Sequence, residues 1–459
     1  MGIGRSRVQR VFAVLEDIEG TLKFPAAANF IRPAGDAVLN QTPAFFDSEE
    51  KQNTLDVLDR FRNATPPGDF TLPIYLRTVA SYATPQGEAL IQSWQGGVNP
   101  DTTASMATEG FASSKTATGG TVDTIAGGAF PSRGVIKIND EEIYYGLKTV
   151  ISTTSVRLSD CVRGYRSTTA TSQHAENDSI TLRSRWYPQD LESPSFSLWV
   201  ETDHFTQGLS GCSVGNVTLG VNNEGAVTLN FTGNGMEMVW AGKSQMATNT
   251  ASGASTGIVV DDAKLFKVGS YIQNYTKNDT NSGAGFLVSS SIATTDTIEV
   301  ADHITRDWAT DDYIQGYLPT ATVLGTVVES KDTDIELDGV AATIKNSDFT
   351  FSVPKTYITD EVGTTYPEDY MEDVRAITAT LSIYFREADA KYFKDGYDGN
   401  EVTFWARFGD VAGRQLELYM PKCTLEVPSI TFAAPAVNLD MPLKALGTSG
   451  EDSCEVILT

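Results

Sequence analysis

The sequence predicts an all-β protein with one short helix, in which two small inserted β modules interrupt a larger β core. Three observations predict this class. Long segments alternate apolar and polar residues with the two-residue period of a strand. Two stretches rich in small polar residues carry only short strands and separate the long ones. One short segment has the composition and the glycine stop of a helix.

The clearest alternation lies near the end of the chain. Successive side chains of a strand point to opposite faces, so each segment is predicted to have one buried face and one face turned to water or to a polar partner. The apolar positions of these strands are Ile377, Ala379, Leu381, Ile383 and Phe385; Val402, Phe404, Ala406 and Phe408; Leu416, Leu418 and Met420; and Val437, Leu439, Met441, Leu443 and Ala445.

Earlier segments repeat the pattern. Residues 11–15 predict a short strand, and residues 70–76 predict one whose Pro73 suits an edge or a bulge. Residues 196–201 alternate, and residues 217–231 predict a hairpin around a turn at 222–225. Residues 45–62 are predicted to form either a short helix or a long loop, which ends at Pro66-Pro67-Gly68.

The two inserted modules are predicted at 116–185 and 247–317, so that residues 1–115, 186–246 and 318–459 form one discontinuous core domain. Surface loops whose ends lie close together tolerate such insertions. The modules are predicted to be copies of each other. Three patterns recur in order: Phe130-x-x-x-Gly134-Val135-Ile136 with Phe266-x-x-Gly269-x-Tyr271-Ile272, Thr153-Thr154-x-Val156-x-Leu158 with Thr294-Thr295-x-x-Ile298-x-Val300, and Ala175-x-x-Asp178-x-Ile180 with Ala309-x-x-Asp312-x-Ile314.

The helix is predicted at 386–395, directly after a strand and before Gly396, which is expected to end it. Pairing Ala388 with Tyr392, or Ala390 with Phe393, places a small apolar stripe on the sheet. The helix is therefore expected to cover an open end of the β core.

The charge balance argues against a nucleic-acid binder. The chain of 459 residues has 34 basic and 59 acidic residues, a formal charge of -25, whereas such proteins neutralise phosphates with Lys and Arg. Plain solubility remains an alternative reason for this charge. The four cysteines form no CxxC pair, and no apolar run is long enough for a membrane span. The first residues do not match a secretory signal, and we expect synthesis in the cytosol.

The search for chemistry yields no catalytic, metal or cofactor site, and we predict that the chain is not an enzyme. His174 and His303 fall at nearby positions of the two modules, but polar loop positions explain them without a metal or acid–base role. The acidic turn at 139–142 and the loop that begins at Asp279 are read as solvated or flexible turns, with weak cation binding as the alternative. A carboxylate pair for glycoside hydrolysis stays open, although nothing singles one out.

An ordered set of segments resembles the major tail tube proteins of long, non-contractile-tailed bacteriophages. The set is Ser48-Glu49-Glu50, 56–59, 68–76, 211–219, 374–385, Gly409-Asp410 with Gly413-Arg414, 418–423 and 443–446. The modules are similar to the small β modules that decorate phage tails and virions. The first carries Phe130-Pro131, Gly134, Ile138, Glu141-Glu142 and Ile143-Tyr144-Tyr145, and the second lacks the Glu-x-Ile-x-Tyr part.

The resemblance implies a β-sandwich or half-barrel subunit of the virion tail, assembled in the host cytoplasm. It implies that six copies close into a ring, that rings stack into a tube, and that the lumen first holds a tape-measure protein and then passes DNA without specific binding. Tail terminator and tail-tip proteins are the further partners. The modules are expected on the outside, where contact with host-surface glycans is possible.

The resemblance also implies that a long loop between early strands reaches the next ring, and here the loop is 45–70. We expect its apolar residues to make the inter-ring and inter-subunit contacts, namely Phe45, Phe46, Leu55, Phe61 and Phe70. The alternative is that they pack on their own domain. For the whole chain, the alternatives are another virion structural protein, an adhesin-like glycan-binding β protein, or a polysaccharide hydrolase.

Overall fold

The computed structural model describes residues 9–50, 59–79, 85–99, 102–106, 119–123, 134–139, 141–150, 155–164, 169–171, 174–175, 178–182, 185–188, 193–222, 225–323, 325–410, 415–433, 436–447 and 453–458. Antiparallel strands dominate, which confirms the predicted all-β class. Within the described residues, no helix is both long enough and apolar enough to cross a membrane.

The first part of the chain builds one end of the core and contains a helix that the sequence analysis missed. The elements are β1 (Arg10–Leu15), β2 (Phe30–Ile31), β3 (Val38–Asn40), β4 (Phe45–Asp47), β5 (Arg60–Arg62), β6 (Gly68–Tyr75), β7 (Arg77–Thr78), α1 (Glu88–Gln95) and β8 (Gly96–Asn99). Left-handed Gly87 precedes α1, and Leu90, Ile91 and Trp94 lie on its buried face. This apolar spacing is the signal that the sequence offered.

The first module is a closed six-stranded barrel with the order β10-β13-β12-β11-β14-β9. It begins earlier than the predicted residue 116 because the strand at 102–106 completes it, while residues 185–188 return to the core sheet. The strands are β9 (Thr102–Met106), β10 (Gly119–Asp123), β11 (Gly134–Ile138), β12 (Glu141–Val150), β13 (Ser155–Val162) and β14 (Ser179–Leu182).

The chain then re-enters the core and leaves it again at residue 243, slightly before the predicted 247. The core strands are β15 (Arg185–Pro188), β16 (Phe196–Thr202), β17 (Phe205–Asn222), β18 (Thr228–Gly235) and β19 (Met238–Ala241). Those of the second module are β20 (Lys243–Gln245), β21 (Ile258–Val259), β22 (Tyr271–Asn274), β23 (Phe286–Ile292), β24 (Thr297–Val300) and β25 (Tyr313–Gly316).

The two modules share one strand order, and their predicted duplication stays a prediction. The second sheet runs β21-β24-β23-β22-β25-β20, which is the order of the first barrel with each strand replaced by its counterpart. The first barrel closes through pairing of β9 with β10, whereas the second has a single bridge, Met246 to Val260, at the same place.

The last part of the chain completes the core. Its elements are β26 (Thr326–Val327), β27 (Thr333–Leu337), β28 (Val340–Ala341), β29 (Ile344–Ser352), β30 (Lys355–Tyr357), β31 (Tyr370–Glu372), β32 (Ala376–Tyr384), α2 (Lys391–Asp398), β33 (Glu401–Phe408), β34 (Leu416–Leu425), β35 (Ser429–Ala433), β36 (Ala436–Ala445) and β37 (Glu455–Leu458).

The predicted stop of the helix at Gly396 is wrong. A 3-10 turn at Glu387–Ala390 leads into α2, which continues to Asp398 and ends at left-handed Gly399 (φ 67). Gly396 lies inside α2, where a Cβ atom would stand 2.6 Å from the carbonyl oxygen of Glu426. Glycine is present there because α2 packs closely on the backbone beyond β34.

The core sheet curves around a single hydrophobic cluster. Its strands follow the order β3-β6-β18-β17-β29-β32-β36-β35 by antiparallel pairing. The rings of Phe349 on β29 and Phe404 on β33 meet 5.2 Å apart although these strands do not pair, so opposite parts of the sheet face each other. Trp94 of α1 packs 4.6 Å from Phe351 in the same interior.

The alternation predicts burial correctly in β32, where the apolar side chains of Ile377, Leu381 and Ile383 are buried and the hydroxyl side chains between them are not. It fails in β16, which is buried on both faces. Trp199, on the face predicted to be polar, is covered by Phe24 and by Tyr271 of the second module at centroid distances of 6.3 and 5.8 Å. The second module therefore packs on β16.

Candidate assembly surface

Residues 45–47 and 60–62 form a separate two-stranded hairpin, which we call the aromatic arm. The prediction of a helix or a loop for this segment is wrong at both ends, since β4 and β5 pair as strands. Every residue of the two strands is exposed, and the exposed fractions of Phe45, Phe46 and Phe61 are 49, 55 and 46%. The alternative of packing on their own domain therefore does not hold for these three phenylalanines.

The arm is organised by its own side chains. The rings of Phe46 and Phe61 lie 5.3 Å apart as a cross-strand pair, and the Arg60 guanidinium lies 4.9 Å from the centroid of Phe45. Within the described residues, β4 and β5 pair with no other strand. Because an isolated hairpin is at best marginally stable in water, a partner that covers these rings would stabilise the arm.

The other two predicted contact residues have different outcomes. Leu55 lies outside the described residues. Phe70 is a correction: it is 2% exposed and packs edge-on against Phe196 at 5.6 Å inside the core. Its position in β6 explains this, because it shares the inward face with Leu72 and Ile74. It is therefore not available to a neighbouring subunit.

A second feature is the outward side of the curved sheet, which we call the polar face. Cross-strand neighbours on it carry hydroxyls, as in Thr71 with Thr232, and Thr218 with Thr350. The charged residues of the face include Asp69, Asp348, Asp440 and Lys444, and also Lys345, whose Nζ atom lies 5.8 Å from the ring centroid of Tyr384 on this face. The hydroxyl and amide residues are Thr71, Asn216, Thr218, Thr228, Asn230, Thr232, Thr350, Ser352, Thr378, Thr380 and Ser382.

Within the described residues, the row of strands that carries the polar face has β35 at one end and β3 at the other, while the far part of β36 continues to β34. At one end β35 pairs only with β36 in the described part of the chain, and its Ile430 and Phe432 are 41 and 83% exposed. At the other end stands β3, where Val38 is 52% exposed. Unpaired edge strands with exposed apolar side chains are templates for pairing with another chain.

The predicted solvated turns at Glu141 and Asp279 are wrong. Glu141 is fully buried and accepts bonds from Arg163 at 2.6 and 2.7 Å and from the Thr171 N–H at 3.0 Å, and it contacts His174 Nε2 at 2.8 Å. Burial by itself raises the pKa of Glu141, but the bonds from Arg163, from the backbone of Thr171 and Gly164, and from His174 outweigh it and lower the pKa to about 2.

Asp279 is the counterpart in the second module. It is 2% exposed and accepts bonds from the hydroxyl of Thr305, the N–H of Arg306 and the indole of Trp308. Each of the two buried carboxylates is thus satisfied by its own chain. Trp308, not His303, occupies the place of His174, since each stands three residues after the threonine that binds the carboxylate.

Two further polar side chains, Ser210 and His303, differ in their exposure. Ser210 is buried and its hydroxyl lies 3.4 Å from the carbonyl oxygen of Glu237, while His303 is exposed. Among the described residues no three His, Cys, Asp or Glu side chains are grouped to hold a metal ion. A groove of about 1030 Å³ beside β27 and β33 is lined by Lys331, Lys345 and Trp405, among others, and was not foreseen from the sequence.

Comparison with known proteins does not assign this chain to a family. No model of a known protein family matches the sequence, and no curated protein matches it significantly.

Proposed function

We propose that this protein is a structural subunit of a bacteriophage tail tube. In this proposal copies join side by side into rings, six to a ring by the resemblance, and the rings stack around a channel that first holds a tape-measure protein and then passes DNA. The tube belongs to the virion tail and meets terminator and tip proteins at its ends. The protein has no catalytic role in it.

The single observation that carries the proposal is a polar-faced row of strands with an edge strand at each end. In the head-to-tail contact between copies, β35 of one copy pairs with β3 of the next copy. Because the same rotation relates each copy to the next, the contact repeats around an axis, and a closed ring forms when these rotations add up to a full turn. Closure removes both edges, which are otherwise an aggregation liability. The polar face then becomes a continuous wettable wall.

Charge supports the same use of the wall. The polar face carries three carboxylates, Asp69, Asp348 and Asp440, against two ammonium groups, Lys345 and Lys444. Proteins that hold nucleic acid present clustered Lys and Arg, whereas hydroxyl and amide groups with a slight negative excess give phosphates no fixed partner. DNA would therefore slide along such a wall.

The aromatic arm supplies the contact along the tube axis. Exposed aromatic side chains are the residues that buried interface centres favour. In this proposal, Phe45, Phe46 and Phe61 insert into the adjacent ring. Both inserted modules lie away from the ring contacts, on the outside.

Electron microscopy of the purified full-length protein at high concentration tests the proposal. Tubes or stacked rings with a central channel are expected. Phe432→Lys, at the edge strand β35, is expected to abolish rings without lowering the melting temperature. Its matched control, Val362→Lys, changes a fully exposed loop side chain and is expected to leave assembly intact. Compact monomers at every concentration, or rings that survive Phe432→Lys, would contradict it.

A further inference from the structure

The second module presents an open sheet face on β20, β25 and β22, which we call the module face. Lys243 lies opposite Gln315, Gln245 opposite Tyr313, and Gln273 on the far side of Gln315. Tyr275 follows in register, with its N–H bonded to the Tyr313 carbonyl at 2.8 Å. The six residues of the module face are Lys243, Gln245, Gln273, Tyr275, Tyr313 and Gln315.

Two aromatic rings stand on this face around one ammonium. Tyr275 is 57% exposed and Tyr313 is 41% exposed. The Nζ atom of Lys243 lies 5.1 Å from the ring centroid of Tyr275 and 4.5 Å from that of Tyr313. These contacts hold the two rings as a fixed platform on the surface.

The first module shows that the fold does not require these side chains. It forms the equivalent strands with Ser105 opposite Ser179 and Thr103 opposite Thr181. The strand pairings establish which positions of the two modules are equivalent. In the first module Ile138 of β11 pairs with Ile180 of β14, and in the second Asn274 of β22 pairs with Ile314 of β25. The first module thus has Thr103, Ser105, Ser179 and Thr181 where the second has Lys243, Gln245, Tyr313 and Gln315, and it has Lys137 where the second has Gln273. The tyrosines of the module face are therefore not needed to form this fold.

The hydrogen-bonding groups of the module face are open. Within the described part of the chain, the carboxamides of Gln245, Gln273 and Gln315 make no hydrogen bond. Each carboxamide offers two donors and one acceptor, and the three lie on adjacent strands. The face has one cation, Lys243, and no carboxylate among its six residues, on a chain whose formal charge is -25. A ligand with many hydroxyls and a negative charge complements it.

We propose that the module face binds an acidic polysaccharide, one whose sugars carry carboxylates. Sugar rings lie on Tyr275 and Tyr313, hydroxyls bond to the three carboxamides, and a sugar carboxylate pairs with Lys243. This binding function goes beyond that of a tube subunit and does not depend on it, because the face is complete within one chain.

The test is the binding of the full-length protein to immobilised polygalacturonate, hyaluronate and alginate, with dextran as the neutral polysaccharide. Binding to at least one acidic polysaccharide, weakened by salt and absent for dextran, is expected. The double variant Tyr275→Ala/Tyr313→Ala, and separately Lys243→Gln, are expected to lower the affinity at least tenfold. Tyr397→Ala, which removes an 83% exposed tyrosine on α2, is the matched control and leaves binding unchanged.

Three results would overturn the proposal. They are no binding to any of the three acidic polysaccharides, equal binding to dextran, and binding that neither variant weakens. Circular dichroism and melting temperature show whether each variant is folded. The single variant Gln315→Ala replaces the double variant if the latter unfolds. Tube formation is scored by microscopy on the same samples, so a failure here is separate from a failure of the tube proposal.

Discussion

Asp178 and Asp312 hold the same place in the two inserted modules. Each carboxylate accepts a hydrogen bond from the backbone N–H of the alanine three residues before it, at 2.9 Å from Ala175 and 2.8 Å from Ala309. Each also accepts a hydrogen bond from the side-chain amide of an asparagine near the end of the module's third strand: Asn139, which follows β11, at 3.3 Å, and Asn274, the last residue of β22, at 3.0 Å. The two modules thus share this turn chemistry although their outer surfaces differ.

The buried carboxylate of the first module is expected to be essential for that module. Glu141→Gln removes the charge that faces buried Arg163 and so breaks a buried ion pair, which costs about 3–5 kcal/mol. Calorimetric unfolding is expected to show an early transition of the first module alone. Glu361→Gln, at an exposed loop position, is the control and shifts no transition. Unchanged unfolding of Glu141→Gln would show that the pair contributes nothing.

The same carboxylate gives the first module a defined pH dependence. The pKa of Glu141 is about 2 in the folded chain, below its ordinary value of 4.5. The unfolded state therefore binds more protons between these values, so the stabilisation is complete above pH 4.5 and is lost as the pH falls toward 2. Melting temperatures measured from pH 7 to pH 2 are expected to fall in this window for wild type and less for Glu141→Gln. Parallel curves would refute the linkage.

Glu16 is expected to show the opposite dependence. Its carboxylate accepts bonds from Ser195, Ser197 and the Gly211 N–H, yet burial outweighs these bonds and raises its pKa above 4.5. The folded state therefore binds the extra proton, and the contribution of Glu16 to stability decreases as the pH rises from 4.5 through the folded pKa. Titration of Glu16 by NMR checks the direction, and a midpoint at or below 4.5 contradicts it.

Phenylalanines of the arm and of the core are expected to respond in opposite ways. Phe46→Ser/Phe61→Ser is expected to change the free energy of unfolding by only about 0.5 kcal/mol and to prevent ring stacking, because these rings are exposed. Phe70→Ala is expected to cost about 3–5 kcal/mol, because its ring fills the core. Denaturant unfolding and electron microscopy of the same samples separate the two effects. Tubes formed by the double variant would exclude the arm as the axial contact.

Two glycines, Gly396 inside α2 and Gly399 at its C-terminal cap, are expected to be required for different reasons. Gly399 allows a positive φ, and Gly396 allows a close approach to the neighbouring backbone. Gly399→Ala has free space around its Cβ but a positive φ, and is expected to cost about 1 kcal/mol. Gly396→Ala gains about 1 kcal/mol of helix propensity but places its Cβ 2.6 Å from the Glu426 oxygen, so a net loss of stability is expected. Thermal unfolding measures both. A stabilised Gly396→Ala would mean that the helix moves away from β34 without cost.

Packing between separate parts of the chain accounts for what the sequence analysis missed. Trp199 alternates as a surface residue of β16, and only the position of the second module makes it a core residue. Glu141 reads as an acidic turn, and Arg163, which neutralises it, lies 22 positions away. The short helix α1 gains its stability from the core against which Trp94 packs, not from its own eight residues. None of these contacts is local in sequence.

The sequence by itself determined the β class, because side-chain alternation and turn residues act between neighbours along the chain. The duplication of the two modules stays a prediction, with which their common strand order is consistent. The alternation also placed Phe70 on one strand face with Leu72 and Ile74, yet the contact role predicted for Phe70 is wrong, because the structure buries that face in the core. Only the tertiary structure decided that the arm leaves its phenylalanines exposed and that β35 ends the sheet as a free edge. The exposure of a residue depends on which other parts of the chain cover it, and those parts are distant in sequence.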